Sequence, residues 1–341
     1  MTNPAVTTAL VTSANAMVSG ATGFLGSQLV VHLQAAGFHV RVLARKSSRL
    51  GNLGKTGAEV VYGELNDGDS LRRAVRGRDC VFHCAGKVSD WGKRADFFTV
   101  NTQGTANIVE ACRRESVTRL VHISSLSVLG LPRDGAPVDE DTVADPPPRD
   151  AYSASKLAAE KHALANHGLD GLDITIIRPG VIWGRGEETI LPRIAALMKR
   201  RRLVYIGRAD NFLALSHVDN LCRGIIQAAR TPGAAGKIYH LIDDEEITAR
   251  GAVEAVAGIM NIPPPRIALP YPLVYGAALL SEGFYRLAHA DNPPALTRYG
   301  VRLLACSSRY DCGRARRDFD YSPAITFETG LAEMNLEDLP A

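Results

Sequence analysis

The length, composition and charge of the chain exclude several classes of protein. Of its 341 residues, 46% are hydrophobic and 22% are charged, which is typical of a folded globular protein and argues against disorder. The net charge of +3 is too small to indicate nucleic-acid binding, because the basic residues are spread along the chain. The length fits a large α/β enzyme with a second, substrate-binding lobe.

The cysteines show no CxxC pair and no Cys/His cluster at the spacing of a zinc site. They are Cys80, Cys84, Cys112, Cys222, Cys306 and Cys312. We therefore expect free thiols, no metal site and a reducing compartment, the cytoplasm. The first twelve residues lack the basic segment and the apolar core of a secretory signal.

One segment, 267–288, raises the question of membrane contact. Its apolar run from Ile267 to Leu280 is broken by Pro270 and Pro272 and is too short to span a bilayer. The pattern predicts a helix of the substrate lobe. The alternative is a helix that lies on a membrane surface with its apolar side chains in the lipid.

The first half of the chain alternates short β-branched runs with helical patterns. This alternation predicts an α/β fold with a doubly wound parallel sheet of the Rossmann type. The predicted strands are Ala16–Ser19, His39–Leu43, Glu59–Tyr62, Asp79–His83, Arg119–Ile123 and Ile174–Arg178. The predicted helices are Phe24–Ala36, Phe97–Arg114 and Tyr152–Asn166.

After Arg178 the pattern becomes less regular and prolines accumulate. The elements predicted there are two helices and one strand, Ile190–Arg200, Val218–Arg230 and Phe212–Ser216. We therefore divide the chain into an N-terminal extension, a dinucleotide-binding Rossmann domain and a mainly substrate-binding lobe, with the chain crossing back to the Rossmann domain. Their bounds are 1–13, 14–180 and 181–341.

A glycine-rich loop follows the first predicted strand and opens the first predicted helix. Its spacing is GxxGxxG, from Gly20 to Gly26. Such glycines allow a tight turn and a close approach of the backbone, and the helix N-terminus then faces a pyrophosphate. We predict that this loop binds a dinucleotide through Gly20, Thr22, Gly23, Phe24, Leu25 and Gly26.

The end of the second strand bears on which dinucleotide is bound. An acidic residue there would accept hydrogen bonds from the adenosine ribose and favour NAD. The chain instead has Arg45 and Lys46, and the Arg45 guanidinium could pair with a 2′-phosphate. The sequence favours NADP over NAD, with a solvated strand end as the alternative interpretation of the two cations.

Tyr152 and Lys156 are four residues apart in a predicted helix and so share one face. An ammonium beside a phenol favours the phenolate, so we expect Lys156 to lower the pKa of Tyr152 and let it exchange a proton with an alcohol or ketone. Ser125 follows the strand Arg119–Ile123, where a hydroxyl would face the crevice and hold the substrate oxygen. These three residues are the predicted catalytic set.

In these motifs the chain resembles the extended short-chain dehydrogenase/reductases of the NAD-dependent epimerase/dehydratase superfamily. The matching segments occur in the same order as in that superfamily. They are Gly20–Gly26, Gly63–Leu65, His83–Gly86, Asn101–Thr105, Ser125–Gly130, Tyr152–Lys156 and Arg178–Gly180.

The resemblance implies roles for further residues. Glu64 and Leu65 would lie near the adenine, although Asp-Leu is usual at this position in the family. Lys156 would also contact the nicotinamide ribose. The residues that would line the dinucleotide elsewhere are Cys84, Ala85, Gly86, Pro179 and Val181. The resemblance also implies a homodimer formed through two helices beside the sheet.

Within the superfamily, three segments are similar to the branch of the 3β-hydroxysteroid dehydrogenases, which also contains 2-alkyl-3-ketoacid reductases. They are Lys87–Gly92, Val181–Gly184 and Pro294–Tyr299. This similarity implies a bulky, hydrophobic alcohol or ketone as substrate. Val88, Trp91 and Trp183 would then line its pocket, while core packing is the alternative for both tryptophans.

Two sites separate the chain from sugar-nucleotide enzymes of the superfamily. Dehydratases have Thr-Asp-Glu where this chain has Ser125–Ser127, and many epimerases have an asparagine for the substrate pyrophosphate where this chain has Val181. An apolar side chain cannot provide that hydrogen bond. The predicted function is an NADP-preferring oxidoreductase of hydrophobic secondary alcohols or ketones. A nucleotide-sugar epimerase or a non-catalytic NADP-sensing scaffold is the alternative.

Overall fold

A parallel sheet of seven strands forms the centre of the molecule in this computed structural model, which describes residues 14–130, 137–188, 190–288, 290, 292–307 and 309–334. The predicted N-terminal extension, 1–13, lies outside the described residues. The strands are β1 (Asn15–Ser19), β2 (His39–Ala44), β3 (Glu59–Tyr62), β4 (Cys80–His83), β5 (Arg119–Ile123), β6 (Asp173–Pro179), β7 (Val181–Trp183), β8 (Tyr205–Ile206), β9 (Leu215–His217), β10 (Ile238–Leu241) and β11 (Ala268–Leu269).

The order of strands in the central sheet is β10-β6-β5-β4-β1-β2-β3, and every neighbouring pair is parallel. This confirms the predicted fold class. From β1 the chain proceeds to one edge of the sheet, and from β4 it proceeds to the other. The reversal places a crevice at the carboxyl ends of β1 and β4, where ligands of doubly wound sheets bind. Ser19 and His83 are paired at that edge.

Twelve α-helices surround the strands in the described part of the chain. They are α1 (Phe24–Ala35), α2 (Gly68–Val75), α3 (Arg94–Phe97), α4 (Gly104–Arg114), α5 (Ala151–Ala165), α6 (Ile190–Lys199), α7 (Val218–Arg230), α8 (Ala249–Ile259), α9 (Tyr271–Leu287), α10 (Arg298–Ala305), α11 (Gly313–Phe319) and α12 (Phe327–Ala332).

The sheet is covered by helices on both faces, as expected for strands that are apolar on both sides. On one face, α1, α7 and α11 contribute Leu29, Ile225 and Phe319 to one buried cluster. On the other face, α2 and α4 contribute Leu71 and Ile108 to a second cluster. The crevice therefore opens between two packed layers of helices.

The remaining elements form smaller cores beside the sheet. Helices α6, α8 and α12 pack around Trp183, and α9 packs on α10 through Val274, Ala278 and Val301. The predicted return of the chain to the Rossmann domain takes the form of β10, which pairs with β6 at the edge of the sheet. Within the described residues no helix is both long and apolar enough to cross a membrane.

Two predicted elements differ from the structure. The helix predicted over Phe97–Arg114 is a short helix (α3), a π-helical turn at Phe98–Gln103 and then α4. The strand predicted at Phe212–Ser216 is β9, and Phe212 instead forms an isolated bridge with Thr248. The second difference follows from pairing, since β9 pairs with β7 and Phe212 with Thr248. The first differs in its hydrogen bonds only, because a π turn has no hydrophobic pattern that separates it from an α-helix.

Candidate active site

The glycine-rich loop between β1 and α1 depends on close approach of backbone to backbone. Gly20 has φ +71°, and a Cβ at this position would lie 2.6 Å from the nitrogen of Ala85 on the neighbouring loop. A Cβ on Gly26 would lie 2.2 Å from the carbonyl oxygen of Gly20. Neither position can accommodate a side chain, so the loop is tightly folded against the end of β4.

The first turn of α1 can accept an anion. Its N-cap, Gly23, is extended, and no side chain caps the helix. Thr22 and Gly23 are exposed, whereas Leu25 is buried beneath them. Uncapped backbone N–H groups and the helix dipole together form a site for phosphate. The loop thus fits the pyrophosphate of a dinucleotide, and Phe24 lies half-buried at its side.

The ends of β2 and β3 would border the adenosine half of that dinucleotide. Arg45 and Lys46 are exposed directly after β2, and neither forms an ion pair with another described residue. After β3, Glu64 is exposed, and the carbonyl of Leu65 accepts a hydrogen bond from Asn107 Nδ2 at 2.7 Å. The Leu65 side chain packs on Gly104, where a Cβ would lie 2.9 Å from its Cδ1.

The loop after β4 runs beside the predicted catalytic residues. Cys84 is half-buried, and desolvation raises the pKa of its thiol to about 12 although the charge of Lys156 opposes the shift. A Cβ on Gly86 would lie 3.2 Å from Asn101 Oδ1 and 3.3 Å from Lys156 Nζ. The predicted cofactor residues Cys84, Ala85 and Gly86 therefore form the wall between the glycine loop and α5.

The structure brings the three predicted catalytic side chains together at the carboxyl end of β5. Ser125 follows that strand and caps a short 3₁₀ helix by accepting a hydrogen bond from the nitrogen of Ser127 at 3.2 Å. Tyr152 lies in the first turn of α5, and its phenol is close enough to the Ser125 hydroxyl for that hydroxyl to lower its pKa. Lys156 is one turn further along α5, and its Nζ donates to the carbonyl of Ile123 at 2.7 Å.

The electrostatics of this group differ from the sequence prediction. We expected Lys156 to lower the pKa of Tyr152; instead, desolvation raises it, and the hydrogen bond to Ser125 offsets only part of the shift. The Lys156 ammonium is itself buried, which lowers its pKa to about 8. Its Nζ is directed to the Ile123 carbonyl, so burial, and not the neighbouring charge, dominates the pKa of the phenol.

Asn101 belongs to this site, although no individual role is predicted for it from the sequence. It is fully buried on the π-helical turn. Its Oδ1 accepts from the nitrogen of Lys87 at 2.6 Å, and its Nδ2 donates to the carbonyl of Lys87 and to Ser155 Oγ, at 3.1 and 2.9 Å. Asn101 thereby fixes the loop after Gly86 to α5. Its position in Asn101–Thr105, one of the segments that resemble the superfamily, was the only indication in the sequence. A π turn has no simple sequence pattern that would have placed Asn101 in the site.

Tyr299 is a second tyrosine near the catalytic group. It lies in the first turn of α10, and burial among Tyr152, Asp150 and Asp90 raises its pKa. The N-cap of α10, Thr297, donates to Asp90 Oδ2 at 2.5 Å. Helix α10 is thus attached to the loop after β4, and it brings Tyr299 near Tyr152.

Of the predicted pocket residues, Val88 and Trp91 lie on this same loop. Val88 is exposed, and Trp91 is half-buried with its Nε1 donating to the carbonyl of Ala290 at 3.1 Å. The Trp91 ring is edge-on to Tyr285 of α9, with 6.3 Å between ring centroids. Both residues stay predictions for the pocket wall.

Trp183 lies in a buried cluster of the substrate lobe. The sequence left a core and a pocket position open for it, and the structure places it in the core with 3% exposure. Its ring packs on His217 and Phe327. Its Nε1 donates at 2.9 Å to Asp243, a buried carboxyl whose pKa desolvation raises to about 6. Trp183 therefore joins β7 to the end of β10.

Pro179 and Val181 lie where the chain leaves the sheet. Pro179 ends β6 and is buried, and the nitrogen of Val181 donates to the carbonyl of Ala214 at 2.8 Å. The nitrogen of Gly180 between them donates to Ser216 Oγ at 2.9 Å. The backbone of this crossover is fixed, and the half-buried side chain of Val181 remains apolar where an asparagine would offer a polar group.

Comparison with known proteins covers nearly the whole chain. Residues 16–241 match the NAD dependent epimerase/dehydratase family. The 2-alkyl-3-oxoalkanoate reductase of Shewanella oneidensis is 31% identical over 94% of this chain and 85% of its own. The 3 beta-hydroxysteroid dehydrogenase/Delta 5-->4-isomerase of Mycobacterium tuberculosis is 32% identical over 93% of this chain and 88% of its own. The crystal structure of gox2253 superposes with a TM-score of 0.77 at 26% identity, covering 94% of this chain and 97% of that one.

Proposed function

Since the chain belongs to the NAD dependent epimerase/dehydratase family, we propose that it interconverts a hydrophobic secondary alcohol and the corresponding ketone, with NADP as the preferred cofactor. Membership of the family confirms the resemblance seen in the sequence, including its similarity to 3β-hydroxysteroid dehydrogenases. The observation that carries the proposal is the convergence of Ser125, Tyr152 and the buried Lys156 at the carboxyl end of β5.

The raised pKa of Tyr152 supports a role as a proton donor. A phenol whose pKa lies above its usual value is protonated at neutral pH and can give its proton to a carbonyl oxygen as the ketone is reduced. The Ser125 hydroxyl, which lies close to Tyr152, would hold the same oxygen. The nicotinamide, when bound, supplies or accepts the hydride. Lys156, mostly charged below pH 8, would hold the ribose of the cofactor.

The proposed preference for NADP rests on the end of β2. Arg45 and Lys46 are exposed there beside the adenosine half of the predicted site. The Arg45 guanidinium can form bidentate, charge-assisted hydrogen bonds with a 2′-phosphate, a group that NAD lacks. The described residues of β2 and its end contain no carboxylate that would bind an unphosphorylated ribose and repel the phosphate.

The proposed substrate is a β-keto acid with long alkyl chains or a 3-oxo steroid. The names of the two relatives reported above support this class. Val181 supports it as well, because a diphosphate substrate would find no hydrogen-bond donor in that side chain. Trp91 and the phenol of Tyr299 would form an aromatic wall beside Tyr152. Such a wall is suited to a flat or hydrophobic molecule.

A substrate screen tests this proposal. The purified chain would be given NADPH or NADH with a 2-alkyl-3-oxoalkanoate, a 3-oxo steroid, and UDP-glucose as the sugar control. We expect oxidation of NADPH with a hydrophobic ketone and no change in the UDP-sugar. Epimerisation of the UDP-sugar without oxidation of NADPH by any ketone would contradict the proposal.

A further inference from the structure

Helix α9 exposes large apolar side chains on the face where an ordinary surface helix carries polar ones. The exposed side chains Leu280, Phe284 and Leu287 are 76%, 69% and 83% exposed, and they share one face with Leu273. The only acidic residue of α9, Glu282, is instead buried and accepts from Arg298 Nε at 2.8 Å. A helix that shows leucine and phenylalanine to solvent and turns its carboxylate inward has a face suited to an apolar environment.

This face has no partner within the described part of the chain. The opposite side of α9 packs on α10 and on the small β8–β11 sheet through Val274, Ala278 and Val301. Ile267, just before β11, is also exposed and lengthens the apolar surface. We call the surface formed by Ile267, Leu273, Leu279, Leu280, Phe284 and Leu287 the α9 face.

The exposed charged side chains that adjoin the α9 face along the described chain are positive. Arg266 and Arg286 are exposed on its margin, and Arg302 of α10 lies near Tyr271, where α9 begins. Within the described residues of the stretch 255–307, the one acidic side chain is the buried Glu282. An apolar surface rimmed by arginines is complementary to a bilayer that contains anionic lipids.

The same charges oppose a second copy of the chain as the occupant. A two-fold interface brings identical surfaces together, so the arginines at the margin of one copy would approach those of the other. No described acidic side chain of the stretch is exposed to pair with them. We propose that the α9 face docks the protein on the surface of an anionic lipid bilayer, with Leu280 and Phe284 inserted among the acyl chains and the arginines at the headgroups.

Docking in this way would orient the active site toward the bilayer. Helix α9 contacts Trp91 through Tyr285, and α10 carries Tyr299 beside Tyr152. A hydrophobic substrate dissolved in the membrane would then enter between elements that touch the membrane themselves. This route rests on the proposed lipophilic substrate, whereas the docking itself does not depend on any activity.

Co-sedimentation with vesicles tests the docking. The full chain would be mixed with vesicles of phosphatidylcholine alone or with added phosphatidylglycerol. We expect binding that requires phosphatidylglycerol, weakens in high salt and falls at least about tenfold in L280E/F284E. The matched control is V143E/L169E, which places the same two charges at exposed apolar positions far from α9 in the sequence, and it should bind like the parent.

Two further measurements keep the test decisive. F284W keeps the face apolar, so its indole emission should shift to shorter wavelength with anionic vesicles. Sedimentation velocity without lipid would reveal a dimer formed through the same face. Absence of vesicle binding by the parent, equal losses in both double variants, or a dimer that L280E/F284E dissociates without any vesicle binding would each overturn the proposal. None of these readouts needs a substrate, so a failed substrate screen leaves them unaffected.

Discussion

The ammonium of Lys156 donates a hydrogen bond to the carbonyl of Ile123, with 2.7 Å between Nζ and the oxygen. This bond holds the charge at the carboxyl end of β5, while Ser125 is the neighbour that lowers the pKa of Tyr152. The two residues that the YxxxK spacing pairs therefore interact with different neighbours in the folded chain. Their contributions to stability and to catalysis should be separable by mutation.

K156M should stabilise the protein while it abolishes most of the activity. Burial lowers the pKa of Lys156 from 10.5 to about 8, so the unfolded chain holds this proton more tightly than the folded one. At pH 7 the buried charge of Lys156 lowers the free energy of unfolding of the parent by about 3 kcal/mol. K156M removes this penalty but also loses the hydrogen bond to Ile123, which offsets about 1 kcal/mol of the gain. We expect thermal melts to show a higher Tm for K156M at pH 7, and kcat to fall about a hundredfold or more.

The pH dependence distinguishes this explanation from a general packing effect. A cation with a lowered pKa disfavours folding below pH 8, and this effect disappears as the pH rises toward 10.5. The Tm advantage of K156M should therefore shrink between pH 8 and 10. K161M, at an exposed lysine on the same helix, should change neither Tm nor kcat. An advantage of K156M that does not vary with pH would contradict the explanation.

R45E should reverse the choice of dinucleotide. The change replaces a cation that can pair with the 2′-phosphate by an anion that repels it, so the KM for NADPH should rise about tenfold or more. The KM for NADH should change little or fall. R49E adds the same charge at another exposed site nearby and serves as the control in steady-state kinetics. Equal effects of R45E on both cofactors would show that Arg45 does not contact the phosphate.

N101A should cost both stability and turnover. It leaves the Lys87 nitrogen and carbonyl without their 2.6 and 3.1 Å partners in a buried place, a loss of about 1–3 kcal/mol in the free energy of unfolding. Because Asn101 fixes the loop after Gly86 to α5, kcat/KM should fall as well. Denaturant unfolding and kinetics of N101A would be compared with Q103A, an exposed change on the same π turn. Equal behaviour of the two variants would refute the role.

The Rossmann half was predictable because its signals are local. The bounds of β1 to β6 differ from the predicted ones by at most one residue, since apolar runs between glycine loops and helices mark each βαβ unit. Ser125, Tyr152 and Lys156 were predictable for a similar reason: each follows a recognisable strand or opens a recognisable helix. The three do meet at the end of β5.

The features that could not be predicted from the sequence depend on contacts between distant segments of the chain. The predicted direction of the Tyr152 pKa was wrong because burial, which the sequence does not give, outweighs the charge of Lys156. Tyr299 comes close to Tyr152 only because α10 is held by Asp90 on a loop of the other lobe. The exposure of Leu280 could not be predicted, because the apolar run from Ile267 to Leu280 is equally compatible with burial.

D243N should change how stability depends on pH. Desolvation raises the pKa of Asp243 from 3.8 to about 6, so the folded state holds this proton more tightly and the ionised form disfavours folding. The contribution of the protonated Asp243 carboxyl to the free energy of unfolding is fully present below pH 4 and is lost as the pH rises through 6. Relative to the parent, D243N should therefore gain about 1–3 kcal/mol in unfolding free energy between pH 4 and 7.

Denaturant unfolding of both proteins at pH 4 and pH 7 measures this difference. The carboxyl accepts from Trp183 Nε1, the His217 nitrogen and Asn220 Nδ2, so an amide in its place loses at least one of these bonds at every pH. That constant loss cancels in the comparison between the two pH values. A D243N effect of equal size at pH 4 and pH 7 would contradict the raised pKa.

The central claim is that Tyr152 gives a proton to the oxygen of a hydrophobic ketone. The most direct measurement is the oxidation of NADPH by Y152F with the best ketone from the substrate screen, together with the affinity of Y152F for NADPH. We predict a fall in kcat/KM of about 10²–10⁴ with NADPH affinity nearly unchanged, because only the hydroxyl is lost. Turnover by Y152F at the parent rate would contradict the account.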